Sequence, residues 1–342
     1  MPAATIAVTG VSGLLGQRLL PLLDASDEVA RVIGIDVRDP VRRARTLEFR
    51  RGDVASARLE PLLEGADVLV HLAAIVGPLG DDALAARVNV DGTRRVLAAA
   101  SAVGVRTVVR PSSAAVYGAW PNNPVPLTED APLRPNPGFG PALHDAECER
   151  VLGRWRADTP GSAVTTLRIA PVVGPGAATL LANAAVGRPP ISVRGAARPV
   201  QVTHVDDAAS AIAFAASQRL DGAFNVASDG WLTHDDALAL FPGRRVPGLP
   251  YEAAERALTA LWVSGLGDAP PAVLPYLVHP WVVANDRLRA AGWAPRHTNE
   301  EAILLSMPVD GRRGTLPWVA AVGAVLAGVA GATWWLARSR RR

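Results

Sequence analysis

The sequence contains no lysine: all 35 positions counted as Lys or Arg are arginine. No chemical step in this protein can therefore run through a lysine ammonium. Cysteine is nearly absent as well. Cys148 stands alone, so it forms no internal disulfide and supports no cysteine-based zinc site, which fits a reducing compartment. Aromatic residues make up 5% of the chain and nowhere interleave with a basic stripe, so the net charge of +3 carries no nucleic-acid signature. No secretory leader is expected either. The apolar run at residues 5–9 is cut short by Gly10, and no basic segment stands before it. These absences lead to two expectations: no nucleic-acid partner, and a cytoplasmic location for the soluble part.

One uncharged stretch is long. Residues 316–337 carry no charge, and as a helix rising about 1.5 Å per residue they would cross a bilayer core. Trp318 lies near one end, and Trp334 and Trp335 near the other, where interfacial aromatics belong. Small residues recur every four positions along it (Gly323, Ala327, Gly331), a pattern that lets two such helices approach closely. The expectation is a membrane anchor, with a homodimer as an option. A polar linker at 308–315 precedes it and a basic tail at 338–342 follows.

Elsewhere the chain alternates. Apolar, β-branched runs at 5–9, 31–36, 68–72, 107–110 and 164–169 read as strands. Between them, periodic segments such as 14–23 and 93–103 read as helices. Alternation of this kind predicts an α/β fold: a doubly wound, Rossmann-like parallel sheet with helices on both faces, followed by a smaller substrate lobe. Residues 1–170 form the expected nucleotide domain, with 203–228 returning to it, and 171–202 with 229–307 form the lobe.

The first strand runs into Gly10-Val11-Ser12-Gly13-Leu14-Leu15-Gly16 and then a helix. Glycines at this spacing permit a tight turn, a close backbone approach to a pyrophosphate and tight helix–strand packing, while the helix N-terminus offers free amides to the phosphate. Asp36 ends the second strand about 20 residues on, as an acceptor for the adenosine ribose, and it favours NAD over NADP. Arg38, Arg42 and Arg43 follow closely, and read as a solvated loop rather than a 2′-phosphate clamp.

Further segments fall in order. Gly52-Asp53-Val54, His71-Leu72-Ala73-Ala74, Val88-Asn89-Val90, Ser112-Ser113-Ala114-Ala115-Val116-Tyr117-Gly118, His204-Val205-Asp206-Asp207, Phe224-Asn225-Val226-Ala227 and Gly292-Trp293-Ala294-Pro295 together resemble the extended short-chain dehydrogenase/reductase superfamily, which contains the NAD-dependent epimerases and dehydratases of nucleotide sugars. The resemblance covers about residues 4–307. It implies cofactor contacts at Gly10, Gly13, Leu14, Leu15, Gly16, Asp36, Asp53, Val54, Leu72, Ala73, Ala74 and Asn89, and a catalytic serine at Ser113.

The resemblance breaks where members carry tyrosine, three residues, lysine, and a glutamate four residues later. With Glu147 taken as that glutamate, Phe139 and Leu143 fill the tyrosine and lysine positions. Phenylalanine has no proton to exchange, and leucine cannot lower a neighbour's pKa. Tyr117 reads as packing behind the site, His144 as a surface histidine and His204 as structural. Ser112 and Ser113 lack the glycines of a hydrolase nucleophile elbow, and no histidine pair has metal-ligand spacing. Arg168, Arg188, Arg194 and Arg198 are candidates for a diphosphate, at least two of them being ordinary surface residues.

The leading expectation is an NAD-binding, membrane-tethered protein without the usual tyrosine–lysine chemistry, whose partner is a nucleotide sugar or a lipid-linked small molecule. Two alternatives stand beside it. One is an active nucleotide-sugar epimerase, dehydratase or sterol-type dehydrogenase using substitute groups. The other is a non-enzymatic membrane scaffold or nucleotide sensor.

Overall fold

The computed structural model describes residues 3–42, 44–76, 81–177, 179–185, 189, 191–241 and 248–307. The expected linker, hydrophobic helix and basic tail lie outside these residues, as do Arg43 and Arg188. Among the described residues no helix is long and apolar enough to cross a membrane.

The chain opens with β1 (Ala4–Thr9), α1 (Leu14–Asp24), β2 (Val29–Asp36), β3 (Leu47–Arg51), α2 (Glu60–Leu63) and β4 (Val68–His71). Helices α3 (Asp82–Ala86) and α4 (Gly92–Ala102) follow, joined by one π-helical turn at Arg87–Asp91. Then come β5 (Thr107–Ser113), a 3-10 turn at Ala114–Tyr117, α5 (Gly140–Asp158), β6 (Ala163–Ile169), β7 (Val172–Val173), α6 (Leu180–Ala185), β8 (Thr203–His204), α7 (Val205–Ser217) and β9 (Gly222–Val226). The lobe adds α8 (His234–Ala239), α9 (Tyr251–Val263) and α10 (Leu274–Val278), and α11 (Asp286–Ala290) and α12 (Asn299–Leu305) complete the described chain.

Seven strands form one sheet in the order β3-β2-β1-β4-β5-β6-β9, and every adjacent pair is parallel. Alternation along the strands explains the two cores. Ile6 and Val8 of β1, with Val68 and Val70 of β4, face the layer of α1 and α7, where Leu19, Leu20 and Ile212 are buried. Ala7, Ile33 and Leu69 face the opposite way, onto Leu63 of α2, Val96 and Leu97 of α4, and Leu152 of α5. A buried leucine of this kind contributes about 1.5–3 kcal/mol. The chain reverses its winding between β1 and β4, and the crevice at such a switch point, beyond the carboxyl ends of the strands, is where nucleotides bind. The lobe packs there. Leu258, Val273, Leu274 and Tyr276 join a third core with Ala114, Ala115, Val116 and Phe139.

Candidate nucleotide-binding site

The loop from β1 to α1 is shaped by glycine. Gly10 has φ +73°, and a Cβ there would lie 2.6 Å from the backbone nitrogen of Ala73. A Cβ on Gly16 would lie 2.4 Å from the carbonyl oxygen of Val11. Both positions thus require glycine for close backbone approach. Gly13, the N-cap of α1, is different: its backbone is extended and a Cβ would meet only the Gly10 carbonyl, at 3.1 Å. No side chain caps α1 and no acidic residue stands in its first turn, so its leading amides and positive end are left for an anion. The loop is stitched to β2 by Gly10 N–H donating to the Ile35 carbonyl (2.7 Å) and Ser12 N–H donating to Asp36 Oδ2 (3.0 Å). The residues present therefore fit a dinucleotide pyrophosphate.

A cavity of about 540 Å³ opens from this loop. Gly10, Gly13, Leu14, Leu15, Gly16, Leu72, Ala74, Asn89 and Ser113 line it. Asp36, Asp53, Val54 and Ala73 do not. Asp36 instead receives the Ser12 and Arg38 amides, Asp53 receives Ala55 N–H and the Ser56 hydroxyl, Val54 is buried in the core, and Ala73 N–H donates to Thr9 Oγ1. Asn89 occupies the π-helical turn, and its amide bridges both backbone polar groups of Ile75, at 2.7 and 3.0 Å. It holds the segment after β4 against the cavity. Ser113 Oγ accepts from Ala115 N–H at 3.1 Å and caps the 3-10 turn.

Among the described lining residues the ionisable side chains are His71, Arg110 and Asp145. His71 lies between Thr9 Oγ1 (2.6 Å) and Thr93 Oγ1 (3.1 Å), and burial drives its pKa down to about 3, so it is neutral. Arg110 is buried on β5, donates to Asp145 Oδ1 at 3.1 Å and to the Pro111 carbonyl at 2.9 Å, and thereby holds Asp145 in place. Burial raises the Asp145 pKa, against the opposing pull of Arg110. Neither residue was singled out from the sequence. Arginine in the middle of a strand and aspartate inside a helix carry no motif.

Along α5 the structure separates the two positions read from the sequence. Phe139 does line the cavity, 2% exposed, with its ring 4.9 Å from that of Tyr276. Leu143 does not: it is 39% exposed on the outer face, and Glu147 pairs there with Arg94 and Arg150. The spacing of four and four is met again by Pro141, Asp145 and Glu149. Pro141 and Asp145 line the cavity, while Glu149 is buried against Arg168 (2.8 Å) and accepts from the Ser112 hydroxyl (2.7 Å). Neither register supplies a phenol or an ammonium. His144 is likewise not a surface residue. It is buried, with Nε2 3.6 Å from Asp82 Oδ2 and Nδ1 without a hydrogen-bond partner.

Tyr117 sits behind the wall as expected. Its hydroxyl donates to Asn225 Oδ1 and receives Arg168 Nη1, both at 2.8 Å, and burial pushes its pKa up to about 12. Tyr276 donates to the Ala115 carbonyl. Arg168 is thus an internal strut rather than a diphosphate ligand. Arg194 is exposed, and Arg198 lies partly buried beside Pro171. His204 caps α7 and stacks on His297.

Comparisons with known proteins agree with this geometry. An uncharacterised protein of Mycobacterium tuberculosis is 32% identical over 313 residues, covering 87% of this chain and 81% of its own. A 3-diazoavenalumate denitrifying reductase of a Streptomyces species is 32% identical over 321 residues, covering 85% of this chain and 96% of its own. The structure of MoeE5 in complex with UDP-glucuronic acid and NAD shares the fold, with a TM-score of 0.67 at 22% identity over 88% of this chain and 97% of that one. The family model described as NAD dependent epimerase/dehydratase matches residues 6–227, and the chain belongs to that family.

Proposed function

We propose that this protein binds NAD at the β1–α1 loop and a nucleotide-sugar-type ligand in the adjoining cavity, and that it does not use the family's tyrosine–lysine chemistry. The glycine loop with its uncapped α1 carries the reading. Gly13, Leu14 and Leu15 would hold the pyrophosphate, Asp36 would accept from the adenosine ribose, and Ser113 would stand at the far end. Bound NAD would supply a hydride acceptor. The protein's part is to orient the ligands and exclude water. With His71 neutral and both nearby tyrosines engaged behind the wall, no phenol is free to move a proton.

The test is calorimetric titration of the purified protein with NAD and NADP, with identification of any nucleotide that co-purifies. NAD should bind more tightly. Equal or reversed preference would remove the role given to Asp36. UDP-glucose with NAD should give cofactor reduction at least about 10²-fold slower than an enzyme with an intact proton relay.

The Streptomyces relative favours a second reading, a reductase. Hydride delivered to a carbon that sheds a neutral leaving group needs no proton from the protein, which suits a cavity without a phenol. An arenediazonium taking hydride and releasing dinitrogen is such a case. NADH oxidation by the purified protein with an arenediazonium probe checks it, and no rate above the uncatalysed one rejects it. In either reading residues 316–337 tether the protein to a membrane, with the nucleotide domain in the cytoplasm.

A further inference from the structure

The cavity has a direction. Its lining comes from the glycine loop and the start of α1, the end of β4 and the segment after it, Asn89 of the π-helical turn, the end of β5, the start of α5, the segment after β6 and the start of α6. None of it comes from β2 or β3, which carry Asp36 and the expected adenosine side. A dinucleotide with its pyrophosphate at the glycine loop therefore sends the sugar on the far phosphate into this space. There it meets, among the described lining residues, one carboxyl acceptor with capacity to spare. His71 is used on both ring nitrogens. Asp145 is used on one oxygen only: Oδ1 accepts from Arg110, while Oδ2 has no hydrogen-bond partner among the described residues, and the side chain remains 24% exposed. Arg110, nearly inaccessible and tied also to the Pro111 carbonyl, fixes that carboxylate.

We propose that Asp145, pinned by Arg110, is the specificity-determining acceptor for a hydroxyl of the sugar that follows the diphosphate in the bound dinucleotide. The proposal rests on the NAD reading above. An anionic substituent at that end would meet a carboxylate and be repelled, whereas a hydroxyl supplies the donor that the free oxygen lacks. The carboxylate also lies on a helix and is tied to a strand, so its position is set before the ligand arrives.

ADP and ADP-ribose differ by the sugar in question, so their affinities separate the two claims. By calorimetry, ADP-ribose should bind the wild type about tenfold more tightly than ADP, the scale of one hydrogen bond to a charged acceptor. In the double variant Arg110→Met/Asp145→Leu, which removes the buried pair as a unit, ADP affinity should be unchanged and the ratio should fall to about one. Should that variant not fold, Asp145→Asn keeps an oxygen for Arg110 and removes the charge. Its ratio should fall at least about threefold, with ADP again unchanged. ADP binding with a ratio near one in the wild type, or with the ratio retained in the variants, overturns this proposal alone. Failure of both ligands to bind the wild type overturns the nucleotide reading and this proposal with it.

Discussion

His71 shows how a single side chain can set a pH limit on the fold. Unfolded, it takes its proton near pH 6.5; folded, burial between Thr9 and Thr93 holds that step down to about 3. Between these values the unfolded state binds the extra proton. The contribution of His71 is therefore complete above about 6.5 and drains away as pH falls towards 3. From pH 7 to pH 5 the loss is about 2 kcal/mol. A His71→Gln variant should lose that much less over the same interval, as read by urea unfolding at the two pH values. Parallel pH profiles for variant and parent would contradict the assignment. Side-chain direction matters just as much on α5. Restoring the family pair as Phe139→Tyr/Leu143→Lys should leave cofactor reduction with UDP-glucose within about twofold of the parent, because Leu143 faces solvent. A gain of about 10²-fold would show that the ammonium reaches the site after all. The sequence made the missing lysine certain but not the register. The four-and-four spacing fits at 139 and at 141, and only packing distinguishes them: Glu149 is buried on Arg168, and Glu147 pairs with arginines on the outer face.

At the scale of elements, the β1–α1 turn was the most legible part of the chain, because its glycines are fixed by backbone geometry rather than by distant contacts. Gly10 and Gly16 are locked by approaches shorter than any Cβ allows, so substitution there confounds folding with binding. Gly13 separates them. Its backbone is extended, its only close neighbour is the Gly10 carbonyl, and it lines the cavity. Gly13→Val should therefore fold with a melting temperature close to the parent's, yet bind NAD at least about tenfold more weakly by blocking the pyrophosphate. Unchanged affinity in a folded variant would place the phosphates elsewhere. The five central strands were equally readable, since each is a β-branched run buried on both faces. β3 and β9 were not. They are the two edges of the sheet, and β3, Leu-Glu-Phe-Arg-Arg, is half polar because one side of it meets solvent. The π-helical turn that carries Asn89 had no local signal either, since it exists to bring one amide onto Ile75.

At the scale of the whole molecule, the proposed membrane attachment rests on one segment. Residues 316–337 are uncharged, flanked by tryptophan and rich in small residues at a four-residue spacing. The two cores that flank the sheet are already covered by α1, α2, α4, α5 and α7, so such a run finds no place in them. The expected outcome is that the full chain sediments with membranes and needs detergent for release, while a version ending at Gly314 stays in the supernatant. Equal solubility of the two would end the anchor reading. Charge then bears on how the segment sits. Arg338, Arg340, Arg341 and Arg342 follow it, whereas only Arg312 and Arg313 closely precede it. Positive flanks stay cytoplasmic as a rule, so a spanning helix with the nucleotide domain inside would put the larger cluster on the wrong side. A helix lying along the inner leaflet, with its arginines on anionic headgroups, avoids that cost. Protease added to intact spheroplasts distinguishes the two arrangements. Cleavage at the arginine-rich end reports a spanning helix, and protection there, lost on lysis, reports an interfacial one.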